Sequence, residues 1–278
     1  MRRVLASIVC VAAGVSFAGA GVKTGWEEDG LSGKVKTVRE TRTTVGRKDD
    51  ASIRTTKYDA SGKRLEWART NEKGEVKDRT AYTYSPAGLL AQLTYYGAKN
   101  TPDTTAKYAY NAQGQRVEIA NYDSKGALKD RTVSTYDAAG VETDAARYDA
   151  TGAAYAHVRY THDAQGHVTL EERTSRDGAM VERVAYGYDM NGFMTDRHGI
   201  DGAGKTTTHE SWKNDARGNR LEWTVFDVDG AVKERWSYEY TFDKTGNWTR
   251  KRTMRVADTN GTETKTPAYE TVRTIEYW

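Results

Sequence analysis

The chain has 278 residues, 37% of them hydrophobic and 29% charged, with 42 Lys and Arg against 39 Asp and Glu. So even a balance carries no electrostatic footprint for nucleic acid, and so low an apolar content speaks against a thick globular core. The only cysteine, Cys10, leaves nothing to pair with in a disulfide scaffold.

Residues 1–20 read as a secretory signal, with Arg2 and Arg3 ahead of an apolar run from Val4 to Phe17 and small residues Ala18 and Ala20 before the cut. Cleavage after Ala20 removes Cys10 and leaves an exported chain, bacterial periplasmic or extracellular. No later stretch approaches the roughly eighteen apolar residues of a transmembrane helix. Residues 21–57 read as an N-terminal cap on a repetitive region.

That region is governed by a period of 26 residues. One glycine series runs Gly62, Gly88, Gly114, Gly140, Gly166, Gly192, Gly218; a second runs Gly74, Asn100, Gly126, Gly152, Gly178, Gly204, Gly230. Three residues before nearly every member stands Asp, Asn or Ser. Such a side chain accepts hydrogen bonds from the turn backbone, and glycine takes the left-handed position that closes it into a hairpin. Each repeat therefore holds two reversals. The segments between them, rich in Tyr, Trp, Thr and Val, are too short for ordinary helices and predict antiparallel strands.

Columns across the repeats assign the strand faces. Tyr82, Tyr108, Tyr160, Tyr186 and Tyr238, with Tyr84, Tyr110, Tyr136, Tyr188 and Tyr240 two residues on, share one face by their spacing. Tyr96, Tyr122, Tyr148 and Phe226 on the alternate strand are read as completing that aromatic face. The opposite parity carries a basic column of Arg79, Arg131, His157, Arg183, His209 and Arg235.

The Tyr/Phe-Asp-x-x-Gly turns recur with Asp59 and Gly62, Asp137 and Gly140, Asp189 and Gly192, and Asp243 and Gly246 as their structural residues. On these motifs, over about residues 58–250, the chain resembles the RHS/YD-repeat family. The resemblance implies a β-repeat protein of the bacterial surface or secretome; large members curl their sheet around a toxin, and some YD repeats are linked to carbohydrate binding. Residues 58–239 form the repeats and 240–278 a C-terminal capping hairpin through Asn260 and Gly261, since a linear array must protect its end strands.

The fold expected is all-β: tandem two-strand units in an extended, twisted or curved antiparallel sheet of roughly sixteen strands, about 75 Å long at 4.8 Å per strand. The basic column is the candidate binding line for an anionic or sugar chain, or else pairs with an acidic column of Asp78, Asp130, Glu182 and Glu234. The histidines, spread over residues 157–209, follow the repeat columns, so no metal site is assigned, and no cofactor. Nor does a nucleophile with its base, or a distinct carboxylate pair, break the pattern. The function expected is an exported, non-enzymatic module that binds an envelope polysaccharide or another envelope or secreted protein. The alternative is a toxin-system accessory that wraps or neutralises a polypeptide.

Overall fold

The computed structural model describes residues 23–47, 51–259 and 261–278. The signal segment 1–20 and Asn260 lie outside them.

A short helix, α1 (Gly25–Glu28), is followed by strands in unbroken succession. The first are β1 (Val35–Thr44), β2 (Ser52–Tyr58), β3 (Arg64–Thr70), β4 (Val76–Tyr84), β5 (Leu90–Tyr96) and β6 (Pro102–Tyr110). Then come β7 (Arg116–Asp123), β8 (Leu128–Tyr136), β9 (Glu142–Asp149), β10 (Ala154–His162), β11 (Val168–Ser175) and β12 (Met180–Tyr188). The last are β13 (Met194–Asp201), β14 (Thr206–Asn214), β15 (Arg220–Phe226), β16 (Val232–Phe242), β17 (Trp248–Thr259) and β18 (Thr262–Tyr277).

The turns explain the regularity. Asp59 Oδ1 accepts from the backbone N–H of Ser61 and Lys63, both at 2.9 Å, and Asp189 does the same for Asn191 and Phe193. Asp137 and Asp243 hold the N–H of Val141 and Asn247 at 2.9 Å. Glycine is required twice over on this rim. Gly192 has φ +79°, and a Cβ there would lie 2.7 Å from Nε2 of His167, whose ring covers it from the preceding turn. Trp26 covers Gly62 in the same way. Asn100, at φ 55°, is the one non-glycine with positive φ among the described residues.

All strands pair antiparallel with their sequence neighbours, and β1 pairs β18 as well as β2. The sheet is therefore a closed ring of 18 strands, an up-and-down barrel. This corrects the extended sheet of sixteen strands. The segments expected to cap two open edges instead join them, with Val38 opposite Ile275 and Glu40 opposite Arg273. Substantial contacts are all between neighbouring strands, so the opposite walls do not pack together. At about 4.8 Å per strand and a tilt near 40°, a round section spans roughly 35 Å between walls.

Register identifies the lumen. The row Trp67–Thr80–Tyr95–Thr104–Asp123 climbs two residues per repeat toward the second series of turns. Strands of a right-twisted sheet coil right-handed about a barrel axis, so this climb fixes the direction in which the chain winds. In that winding, a residue on β4 that bonds β5 points outward. Ser85 exchanges its backbone bonds with Leu89 and Gly88 on the β5 side, and by alternation Arg79, Ala81 and Thr83 do likewise. Arg79 is outside; Thr80, Tyr82 and Tyr84 face the lumen. The inward columns are the more buried, with Val184 at 0% and Ala106 at 2% exposure.

The N-terminal segment lies against the lumen side of the rim beside the seam. Thr24 and Glu27 form a capping box on α1. Trp26 Nε1 donates to Val35 O at 2.7 Å, and Asp29 binds inward Arg64 and Tyr58. Leu31, Val35, Val38 and Tyr58 make the one hydrophobic cluster there, and buried Asn247 exchanges hydrogen bonds with the Ser32 backbone.

Closure yields a test. An antiparallel ring closes only with an even number of strands. Deleting residues 115–140 removes β7 and β8 and leaves sixteen, so the shortened chain is expected to stay monomeric with a cooperative melt. Deleting 115–126 removes β7 alone and would bring β18 to β1 parallel; aggregation is expected. Equal tolerance of both deletions in size-exclusion and melting experiments would contradict the closed ring.

Candidate functional site

The lumen mouth on the α1 side carries a ring of anchored tyrosines. The hydroxyl of Tyr84 donates to Arg64 O at 2.9 Å, Tyr110 to Leu90 O at 2.9 Å and Tyr136 to Arg116 O at 2.7 Å. Tyr188 and Tyr240 repeat the bond to Val168 O and Arg220 O, and Asn214 makes it with its amide to Met194 O. Each donor reaches sideways to the neighbouring strand, which holds its ring at the rim, and the His167 ring stacks on Tyr188 at 4.7 Å between centroids. Burial is the main cause that pushes the phenols of Tyr84, Tyr136 and Tyr240 up to about 12. They remain donors throughout the physiological range.

Deeper in the lumen, aromatic rings alternate with polar groups. Arg173 bridges Glu171 and Glu182 at 2.8 Å each, and Tyr186 OH donates to Glu171 at 3.1 Å. Arg197 pairs with Glu210 at 3.4 Å, which also accepts from Trp223 Nε1 at 3.2 Å. Arg220 lies 4.9 Å from the Trp212 ring centre. Trp236 Nε1 donates to Glu234. This wall offers flat apolar faces beside amides, carboxylates and guanidinium groups, which is surface suited to sugar rings or an extended polar chain.

The basic column is on the other side of the wall. Arg79 pairs with Glu66 at 3.3 Å and lies 3.6 Å over Tyr96; Arg131 pairs with Glu118 at 3.0 Å and lies 4.7 Å over Tyr148. His157 meets Asp144 at 3.8 Å, Arg183 meets Glu172 at 2.9 Å, and His209 meets Asp196 at 3.4 Å while stacking on Phe226. Arg235 pairs with Glu263. Two assignments change. The Tyr96 column shares the arginine face, not the tyrosine face, and the acidic partners are not Asp78, Asp130, Glu182 and Glu234. Those point inward, where Arg69, Asn121 and Arg173 hold the first three.

Among the described residues no helix is long and apolar enough to cross a membrane. The outer wall itself answers for the barrel: Arg79, Lys107, Arg131, Arg159 and Arg183 all point outward from mid-sheet. In a lipid-facing wall, each such residue costs about 2–4 kcal/mol at the bilayer midplane. Two solvated faces suit this barrel to water. Among the described residues, no three His, Cys, Asp or Glu converge as metal ligands.

No family model and no curated protein matches the chain. Among solved structures it is similar to a porin-like protein from Bacteroides uniformis ATCC 8492, at 12% identity and TM-score 0.45, covering 88% of this chain and 99% of that one. It is similar to a chain of the TcdB2-TccC3-Cdc42 complex at 12% identity and TM-score 0.28, over 81% of this chain and 16% of that one. A putative outer membrane lipoprotein-sorting protein domain from Vibrio parahaemolyticus is similar at 10% identity and TM-score 0.24, over 87% and 84%. The ring rests on the β1–β18 pairing, not on these likenesses.

Sequence columns missed the inward cations of the closing strands, Arg42, Arg54, Lys251 and Arg273, which stand outside the 26-residue period. The signal available was alternation within β1 itself, where Val38, Glu40 and Arg42 fall on one face.

The tyrosine ring sets an alkaline limit. Folding raises these phenols above the unfolded value of about 10, so their contribution to stability is complete below pH 10 and lost as pH rises through 12. The melting temperature should hold to about pH 10 and then fall, with phenolate absorbance rising in the same step as β signal is lost. A melting temperature that stays level through pH 12 would contradict the anchored ring.

Proposed function

We propose that the chain is an exported binding protein whose barrel lumen takes up a carbohydrate chain of the bacterial envelope, without catalysing a reaction on it. The observation that carries this reading is the ring of tyrosines anchored at the mouth by hydroxyl bonds to backbone carbonyls. A sugar binds by stacking on fixed aromatic faces while its hydroxyls meet polar groups at the edge. The lumen has both, repeated at equivalent positions around the ring. Equivalent contacts favour a ligand that itself repeats.

The signal-like residues 1–20 support export, and the resemblance of the turns to RHS/YD repeats supports a place on the bacterial surface or in its secretome. The outer arginine–acid ladder is assigned to holding strands together, at about 0–1 kcal/mol per exposed pair. The basic line expected to hold an anionic chain is therefore moved from the outer wall to the lumen. A second reading draws on closure itself: a hollow ring also suits a shell around a polypeptide.

A panel of bacterial polysaccharides offered to the mature protein tests the first reading. The triple substitution Tyr110→Leu, Tyr136→Leu, Tyr188→Leu removes three stacking faces, each worth about 0.5–1.5 kcal/mol, and should weaken binding at least about tenfold. The corresponding Phe variant keeps the faces but loses the bonds that fix them, and should bind between the parent and the Leu variant. Unchanged binding in the Leu variant, or capture of unfolded polypeptide in place of any glycan, would overturn the reading.

A further inference from the structure

In the repeat-built part of the lumen, Arg173 pairs with Glu171 and Glu182 and Arg197 with Glu210, while Arg116 and Arg220 stand singly, far from other unpaired cations in the register. The seam departs from this. One register row there reads Arg273–Glu40–Arg54–Arg69–Asp78, and the row beside it reads Tyr240–Lys251–Thr271–Arg42–Ser52. All these positions face the lumen. Arg42, Arg54, Arg69, Arg273 and Lys251 thus share only Glu40 and Asp78.

Arg273 binds Glu40 at 2.8 Å, Arg54 stands 3.8 Å from the same carboxylate, and Arg69 pairs with Asp78. Among the described residues, Arg42 and Lys251 have no ion-pair partner. Arg42 is exposed to the lumen, 3.9 Å over the Tyr269 ring. Lys251 lies between Trp248 at 5.3 Å and Tyr238 at 5.9 Å. Arg54 and Arg273 lie over Trp67 and Trp248. Every cation of the patch except Arg69 is laid on an aromatic ring. Burial lowers the Lys251 ammonium's pKa, and Arg273, Arg42 and Arg54 lower it further, against Glu40.

Cations held together on aromatic plates, inside a concave wall and short of counter-charge, gain most from a ligand that brings an anion. We propose that the seam patch of Arg42, Arg54, Lys251 and Arg273 is a binding subsite for an acidic sugar, one bearing a carboxylate or a phosphate. The anion completes the charge balance left open around Glu40, on cations that Trp248, Tyr269 and Trp67 already hold in place. This deepens the lumen reading and rests on it.

The test uses the mature protein and three probes of equal length: an oligo-uronate, a phosphate-bearing oligosaccharide and a neutral oligosaccharide, titrated at low and high salt. An acidic probe should bind at least about tenfold tighter than the neutral one and lose that advantage at high salt. The uronate and phosphate arms tell which anion the patch prefers. Arg42→Gln with Lys251→Gln should abolish the advantage while the melting temperature stays level or rises, because the change removes unpaired like charges; Lys251→Arg should retain it. Equal binding of acidic and neutral probes would overturn the subsite and leave the lumen reading standing. Binding of none would overturn both. An advantage that survives the double substitution, or is lost only with unfolding, would assign the patch a structural role.

Discussion

Pairing of β1 with β18 is the constraint on which everything else depends. Once those strands meet, the sheet has no edge to protect, and its two faces become an inside and an outside with different chemistry. The wall gains little from a conventional core, for its buried positions are mostly small or β-branched, such as Ala106, Ala120, Val158 and Val184. Cohesion comes instead from features that recur along the repeats: Asx-anchored turns, tyrosine hydroxyls on a neighbouring strand's carbonyls, arginine–acid pairs outside, and rings laid on the rim glycines Gly62, Gly192 and Gly218. Each is modest alone. Repetition around a closed circuit makes them sufficient.

The seam is where the period ends and the chain behaves differently. Its strands are longer, with β18 running from Thr262 to Tyr277, and they carry the only sizeable apolar cluster and the least balanced lumen charge among the described residues. The apolar cluster and the hydrogen bonds of Asn247 hold the two ends of the chain together where no repeat unit does so. The same departure from the repeat frees Arg42 and Lys251 from the local pairing that governs the repeat-built sectors. Structural closure and the proposed anion subsite thus occupy one stretch of wall.

Much of this was legible in the residues. The two series, with Asp, Asn or Ser three residues before nearly every member, locate every hairpin from Asp59 to Gly230, because turn chemistry is local and acts within five residues. Strand faces were half legible. Each hairpin carries a bulge just past its turn, so that Tyr84 faces Leu90 while Thr83 faces Gln92. Counting outward from the turn without that extra residue puts Tyr96 with the tyrosines, whereas the slipped register puts it opposite Arg79. Closure was not legible at all. It joins residues 35–44 to residues 269–277, which share no period, no motif and no turn, and nothing local distinguishes an end strand that meets its counterpart from one that does not.

A pair of cysteines at Val38 and Ile275 interrogates closure directly, in a mature chain without Cys10. These residues are direct cross-strand neighbours in the ring, whereas in an open sheet of eighteen strands they would stand roughly 80 Å apart. A closed ring predicts that Val38→Cys with Ile275→Cys oxidises to an intramolecular disulfide in monomeric, folded protein, stabilising it by about 2–4 kcal/mol. Free thiols, or cross-links formed only between molecules, would contradict it.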